Sequence, residues 1–196
     1  PTAIDADGAP ITIDTADYDP GTKILSVSGT SVSKVVLGQV TGEGYYSPYS
    51  VFDVKSGKYS GTFDLSKCKA GNYSLLMFID DTVKEIRDFE VIDVTIASPS
   101  KSISVYVGES KTLQYDIIGC QPSDVNFYSN DPTIVTVGKA SPSGQVTFTG
   151  VGVGTCTVMA EFKSISDEVV VNVVQKPAAQ AMKTYNFFIK ITKDFD

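Results

Sequence analysis

Histidine and tryptophan are absent from this 196-residue chain, cysteine occurs three times, and arginine occurs once, as Arg87. Each shortage excludes chemistry. Without histidine there is no Ser-His-Asp or Cys-His nucleophile and no imidazole-ligated metal. Cys68, Cys120 and Cys156 show no C-x-x-C spacing, so they make neither a zinc site nor a disulfide framework. They read as small structural residues or free thiols. Bases are few as well: 16 Lys+Arg against 23 Asp+Glu leaves a net charge of −7. A nucleic-acid partner, which needs clustered Lys and Arg, is not expected. No apolar run approaches the ~20 residues of a membrane span. One candidate, Val169–Val174, is short and interrupted by Asn172. No cofactor site and no metal-ligand set is legible.

What is abundant points one way. Val, Ile and Thr number 24, 15 and 18, so 57 of 196 residues are β-branched. Such side chains are stiff and pack well on a pleated surface. Short alternating segments recur every ~8–12 residues between turn signals. Residues 1–9 read as an N-terminal linker, and the start at Pro1 without a leader is expected of a processed or excised piece. In residues 10–93, Ile11–Tyr18 alternates and Asp19-Pro20-Gly21-Thr22 turns the chain. Strands are expected at Ile24–Gly29, Lys34–Val40, Val51–Val54, Tyr59–Leu65, Tyr73–Ile79 and Val83–Val91, with no credible helix. Residues 94–175 repeat the plan, with strands at Val94–Ala97, Ile103–Val107, Thr112–Ile118, Val125–Tyr128, Ile134–Val137, Gln145–Thr149, Thr155–Phe162 and Glu168–Val174. The expected architecture is all-β: two tandem immunoglobulin-like antiparallel β-sandwiches.

Residues 176–196 form a linker and tail. Tyr185, Phe187, Ile189 and Ile191 alternate as one amphipathic strand. A lone strand cannot bury its own face, so the tail is expected to pair with one of the sandwiches, a partner chain or a neighbouring domain.

The second block carries a series of short motifs in order. Val105-Tyr106-Val107-Gly108-Glu109-Ser110 precedes Thr112-Leu113. Phe127-Tyr128-Ser129-Asn130-Asp131-Pro132 runs into Thr133-Ile134-Val135-Thr136-Val137. Gly144-Gln145-Val146-Thr147 is followed by Gly150 to Thr155, and Val169, Val171 and Val173 close the block. Over about residues 94–174 this resembles the bacterial Ig-like group 2 family, departing from it at Phe127, where Trp is common. Residues 10–93 are similar to a generic bacterial Ig-like or fibronectin-like module, through Gly61-Thr62-Phe63-Asp64-Leu65 and Ala70-Gly71-Asn72-Tyr73. In an immunoglobulin topology Cys120 and Cys156 fall at opposite ends of the sandwich, so no bridge between them is expected.

The most suggestive patch is Gly42-Glu43-Gly44-Tyr45-Tyr46-Ser47-Pro48-Tyr49. Tyr45, Tyr46 and Tyr49 in a Gly/Pro-rich segment suit an aromatic platform on which sugar rings stack while phenols hydrogen-bond. The competing reading is that one or two of the rings fill a core or a seam. Asp5-Ala6-Asp7-Gly8 resembles the start of a calcium loop but lacks the later ligands. Asp14, Asp17, Asp19 and Asp80-Asp81 read as solvated turn residues. A Lys111–Asn172 cross-link is disfavoured, because Val169, Val171 and Val173 take the inward face and leave Asn172 outside. No pair of carboxylates stands out for glycoside hydrolysis, so no enzyme is expected.

The resemblance implies a non-catalytic module of a secreted or cell-surface bacterial protein. Its roles would be adhesion, carbohydrate or cell-wall association, or domain spacing. A phage virion decoration protein and an accessory domain of a polysaccharide-degrading enzyme are the alternatives. The expected partners are a polysaccharide, cell-wall or host-surface ligand.

Overall fold

The structure is a computed structural model that describes residues 3–4, 10–31, 35–79 and 82–178. The expectations placed on Asp5–Gly8, on Asp80-Asp81 and on the tail alternation of Tyr185 to Ile191 lie outside the described residues.

The first sandwich runs β1 (Ala3–Ile4), β2 (Pro10–Asp19), β3 (Ile24–Thr30), β4 (Val35–Gly42), β5 (Tyr45–Tyr46), β6 (Ser50–Asp53), β7 (Lys58–Asp64), β8 (Gly71–Ile79) and β9 (Thr82–Val91). One sheet has the order β1-β2-β3-β7. The other is β5-β4-β8-β9, with β6 also on β4. Ile11, Ile13, Leu25, Val27, Leu75 and Met77 meet between them, nearly or fully buried. The alternation in β2 slips by one residue. A bulge between Ile13 and Thr15 leaves Asp14 unpaired, which lets Ile11 and Ile13, then Ala16 and Tyr18, all face one core. Phe52 explains two glycines. A Cβ on Gly61 would lie 1.9 Å from the Phe52 ring, and one on Gly38 2.9 Å from it. The ring rests between bare backbones of the two sheets, against Tyr59 and Phe63 at centroid distances of 5.9 and 5.8 Å.

The second sandwich runs β10 (Thr95–Ala97), β11 (Ser102–Tyr106), β12 (Ser110–Gln114), β13 (Asp116–Ile118), β14 (Asn126–Ser129), β15 (Val135–Val137), β16 (Gln145–Gly150), β17 (Gly154–Phe162) and β18 (Ile165–Val174). Its sheets are β11-β18-β17-β14 and β12-β16-β15, with β10 on β13. This is the immunoglobulin arrangement of strands in two packed sheets. Two details depart from the sequence reading. The pairing is not wholly antiparallel, because β11 lies parallel to β18. The segment Thr112–Ile118 is two strands: β12 pairs with β16 and β13 with β10. The break falls at Tyr115, whose buried ring meets Phe127 edge-on at 5.0 Å. Val169, Val171 and Val173 are fully buried and Asn172 is exposed.

The two cores share no residue. The sandwiches meet tip to tip. Lys163 and Ser164, the turn between β17 and β18, seat on the end of β2 and the turn after it. The Lys163 ammonium donates to the Asp17 carboxylate at 2.6 Å and to the Tyr18 carbonyl. Ser164 Oγ donates to Asp19 Oδ1 at 2.5 Å. The same Asp19 oxygen accepts the backbone N–H of Gly21 at 2.8 Å and of Thr22 at 3.1 Å. Burial alone would raise the Asp19 carboxyl, but these hydrogen bonds and the nearby Lys163 charge outweigh it and hold it below the ordinary carboxylate range. Lys23 ties the connecting segment down through Asp93 at 3.1 Å. Gly21 is the close-approach residue: a Cβ there would lie 2.2 Å from Ser164 Oγ and 3.0 Å from Ile165 Cγ1.

Candidate binding face

The three tyrosines of the Gly42–Tyr49 segment separate. Tyr45 and Tyr46 are consecutive in β5, so they point to opposite faces. Tyr45 turns inward. Its ring meets Tyr73 edge-on at 6.3 Å and its hydroxyl donates to the Asp64 carbonyl at 3.3 Å. Burial raises its phenol, with the nearby Cys68 and Asp64 adding to the effect. Tyr46 faces out and is 72% exposed. Tyr49 also lies outside, 52% exposed, with its ring edge-on to Phe78 at 4.9 Å. Two of the three rings therefore share the outer face of the β5-β4-β8-β9 sheet, and the third props that sheet from within.

That outer face is unusually apolar for a solvent-facing sheet. The register sets Val51 opposite Leu37, Leu37 opposite Phe78, and Phe78 opposite Val83. The next row is Gln39, Leu76 and Ile86, and the next Tyr46, Thr41, Ser74 and Asp88. Val51 and Ile86 are 60% and 58% exposed. Polar groups are fixed among them. The Gln39 amide nitrogen donates to the Ser47 carbonyl at 3.0 Å. Ser74 Oγ donates to the Asp88 carboxylate at 2.6 Å. Among the described residues, the outward register positions carry the acids Asp53, Asp88 and Glu90 and no base. Lys84 lies in the bulge opposite Met77 and Phe78, Arg87 donates to the Asp14 carbonyl on the other sheet, and Lys55 and Lys58 line a cleft with Val51 and Asp53 at the β6 end of the face.

Reasoning from local motifs missed Leu37, Val51, Leu76, Phe78, Ile86 and Asp88. A signal was present: Leu75-Leu76-Met77-Phe78-Ile79 is a continuous apolar run, and an alternating strand can bury only half of such a run on its inner face. Asp14 and Asp17, expected in turns, lie within β2 instead, Asp14 at its bulge and Asp17 paired with Ser26. Asp19 ends that strand and caps the turn after it, and it is also the acceptor that joins the two sandwiches.

The cysteines are free thiols, Cys68 and Cys156 buried and Cys120 half-buried. Cys156 pairs with Val171, while Cys120 lines a cleft with Ile92 and Phe162 at the junction. Six residues of β17 separate those levels, roughly 20 Å. Burial raises the Cys68 and Cys120 thiols above their ordinary range. Among the described residues no cluster of three or more acidic or cysteine side chains is placed to hold a metal ion, and no helix is long and apolar enough to cross a membrane.

No family model matches the chain, and no curated protein matches it. Solved structures do. The chain is similar to domains 4 and 5 of the S-layer protein SbsC, with 25% identity over 54% of this chain and 66% of that one, at a TM-score of 0.38. Domains 5–6 of the same protein match at 30% identity over 45% of this chain and 48% of that one, TM-score 0.38. Invasin, a bacterial integrin-binding protein, matches at 14% identity over 85% and 39%, TM-score 0.32. The chain thus spans less than two thirds of each of these structures, and TM-scores of this size bear on neither ligand nor activity.

Proposed function

We propose that this chain is a non-catalytic module of a secreted or cell-surface bacterial protein, which spaces neighbouring parts of that protein and presents a recognition face. The tip-to-tip junction carries this reading. Two sandwiches with separate cores are joined by Asp17, Tyr18, Asp19 and Gly21 on one side and Lys163 and Ser164 on the other. With strands of ten residues at ~3.3 Å per residue, each sandwich extends roughly 30 Å, so the pair makes a short rod. Exposed ion pairs contribute under about 1 kcal/mol each. A junction worth about 2 kcal/mol in total would be open a few per cent of the time. The rod is therefore stiff but not welded.

Residual dipolar couplings test this. One alignment tensor should fit both sandwiches of the intact protein. Gly21→Val combined with Lys163→Ala should split it into two while leaving the fold of each sandwich unchanged. Two independent tensors in the unaltered protein would overturn the spacer reading.

A further inference from the structure

We propose that the outer face of the β5-β4-β8-β9 sheet binds a neutral polysaccharide laid along β4. This deepens the recognition half of the function above and rests on it. Three observations support this ligand class.

The first is the spacing of the rings. Tyr46 pairs with Thr41, while Tyr49 covers Phe78, which pairs with Leu37. Thr41 and Leu37 are four residues apart on β4, so the two rings stand roughly 13 Å apart along the strand. That span suits an oligosaccharide rather than a single sugar. The second is the apolar surface at the level between the two rings, in the row Gln39, Leu76 and Ile86 that runs from β4 across β8 to β9. Leu76 and Ile86 offer a flat apolar strip to the C–H faces of pyranose rings, which stack on such surfaces and on tyrosine. The third is the polar set. Asp88 and Gln39 are held in place by Ser74 and Ser47, so their remaining acceptor oxygens are preorganised for hydroxyl donors.

The charges narrow the ligand further. Asp88 and Glu90 on the face, and the chain's net charge of −7, oppose an anionic glycan; Lys55 and Lys58 stand at the other end, in the cleft with Asp53. A flat apolar protein partner would desolvate Asp88 without returning a donor, a cost that a hydroxylated ligand avoids. Tyr45 is not a contact residue; it supports β5 from inside through Tyr73 and Asp64.

The test is affinity electrophoresis of the whole chain in gels containing soluble β-glucan, amylopectin, glycol chitin or, as the anionic control, polygalacturonate. Retardation is expected with at least one neutral polymer and not with polygalacturonate. Tyr46→Ala, at a position too exposed to affect folding, should weaken binding about tenfold, the equivalent of one lost stacking contact. Asp88→Asn should weaken it as well, and Tyr106→Ala on the second sandwich should leave it unchanged. Circular dichroism checks each fold. Failure to bind any neutral polymer, or binding that survives Tyr46→Ala combined with Tyr49→Ala, would overturn the proposal. Neither result touches the dipolar couplings, so the spacer reading stands or falls separately.

Discussion

Replacing Asp167 with alanine should destabilise the second sandwich and leave the first untouched. Asp167 is the buried carboxylate of β18. Its Oδ2 accepts the Ser98 backbone N–H at 2.8 Å, and its Oδ1 takes the Lys101 ammonium. Both partners lie in the crossover from β10 to β11, which changes sheets there, so one side chain fixes the path of that crossover. A hydrogen bond to a charged group contributes about 1.5–3 kcal/mol. The Lys101 side chain is 66% exposed, so its pairing adds under about 1 kcal/mol. Removing a buried charge returns some desolvation cost, and the net loss comes to about 2 kcal/mol. For a sandwich of this size that is a drop in Tm of roughly 8–16 °C. Asp167→Asn keeps an acceptor for Ser98 and should cost about half as much.

The pH dependence follows from the same contacts. Burial alone would raise the Asp167 carboxyl, but hydrogen bonds from Lys101 and Ser98 outweigh it and hold it below its ordinary value. The folded protein therefore holds this proton less tightly than the unfolded chain does. Its contribution is complete above the ordinary carboxylate pKa of about 3.9 and is lost as the pH falls through the folded value. The gap between the native protein and Asp167→Ala should thus be constant from neutrality to about pH 5 and narrow below about pH 4. Pulsed alkylation during denaturant unfolding separates the two sandwiches, because Cys156 is buried in one core and Cys68 in the other. Equal shifts at both thiols, or a shift below about 0.5 kcal/mol at Cys156, would refute the reasoning.

Three further outcomes are expected. The Tyr115 hydroxyl is buried with no hydrogen-bond partner among the described residues, so Tyr115→Phe should be neutral or stabilise the second sandwich by up to about 1 kcal/mol in chemical denaturation; a clear loss would reveal a partner. Gly61→Ala places a Cβ inside the Phe52 ring and should cost about 1–3 kcal/mol, read at Cys68 and not at Cys156. All three thiols should titrate in denaturant, and under native conditions at pH 8 Cys120 should be alkylated first, as the half-buried one. A count of one thiol in denaturant would mean that a disulfide exists.

Composition and pattern alone determined the fold class. The β-branched residues, the turn signals between short alternating runs, and the inward row Val169, Val171 and Val173 are local properties, and local properties specify strands. They also specified that Asn172 faces out. Pairings between distant segments were not legible. The parallel partner of β11, the split of Thr112–Ile118 at Tyr115 and the seating of Ser164 on Asp19 all depend on residues that meet only after the sheets pack. The tyrosine segment shows the division most clearly. Three phenols in five residues mark a feature on any reading. Which two face outward followed from where β5 begins to pair with β4, since a shift of one residue in register exchanges the faces. The bulge at Phe78 then set an apolar ring under Tyr49, and the acids beside it came from β9, forty residues downstream in the chain.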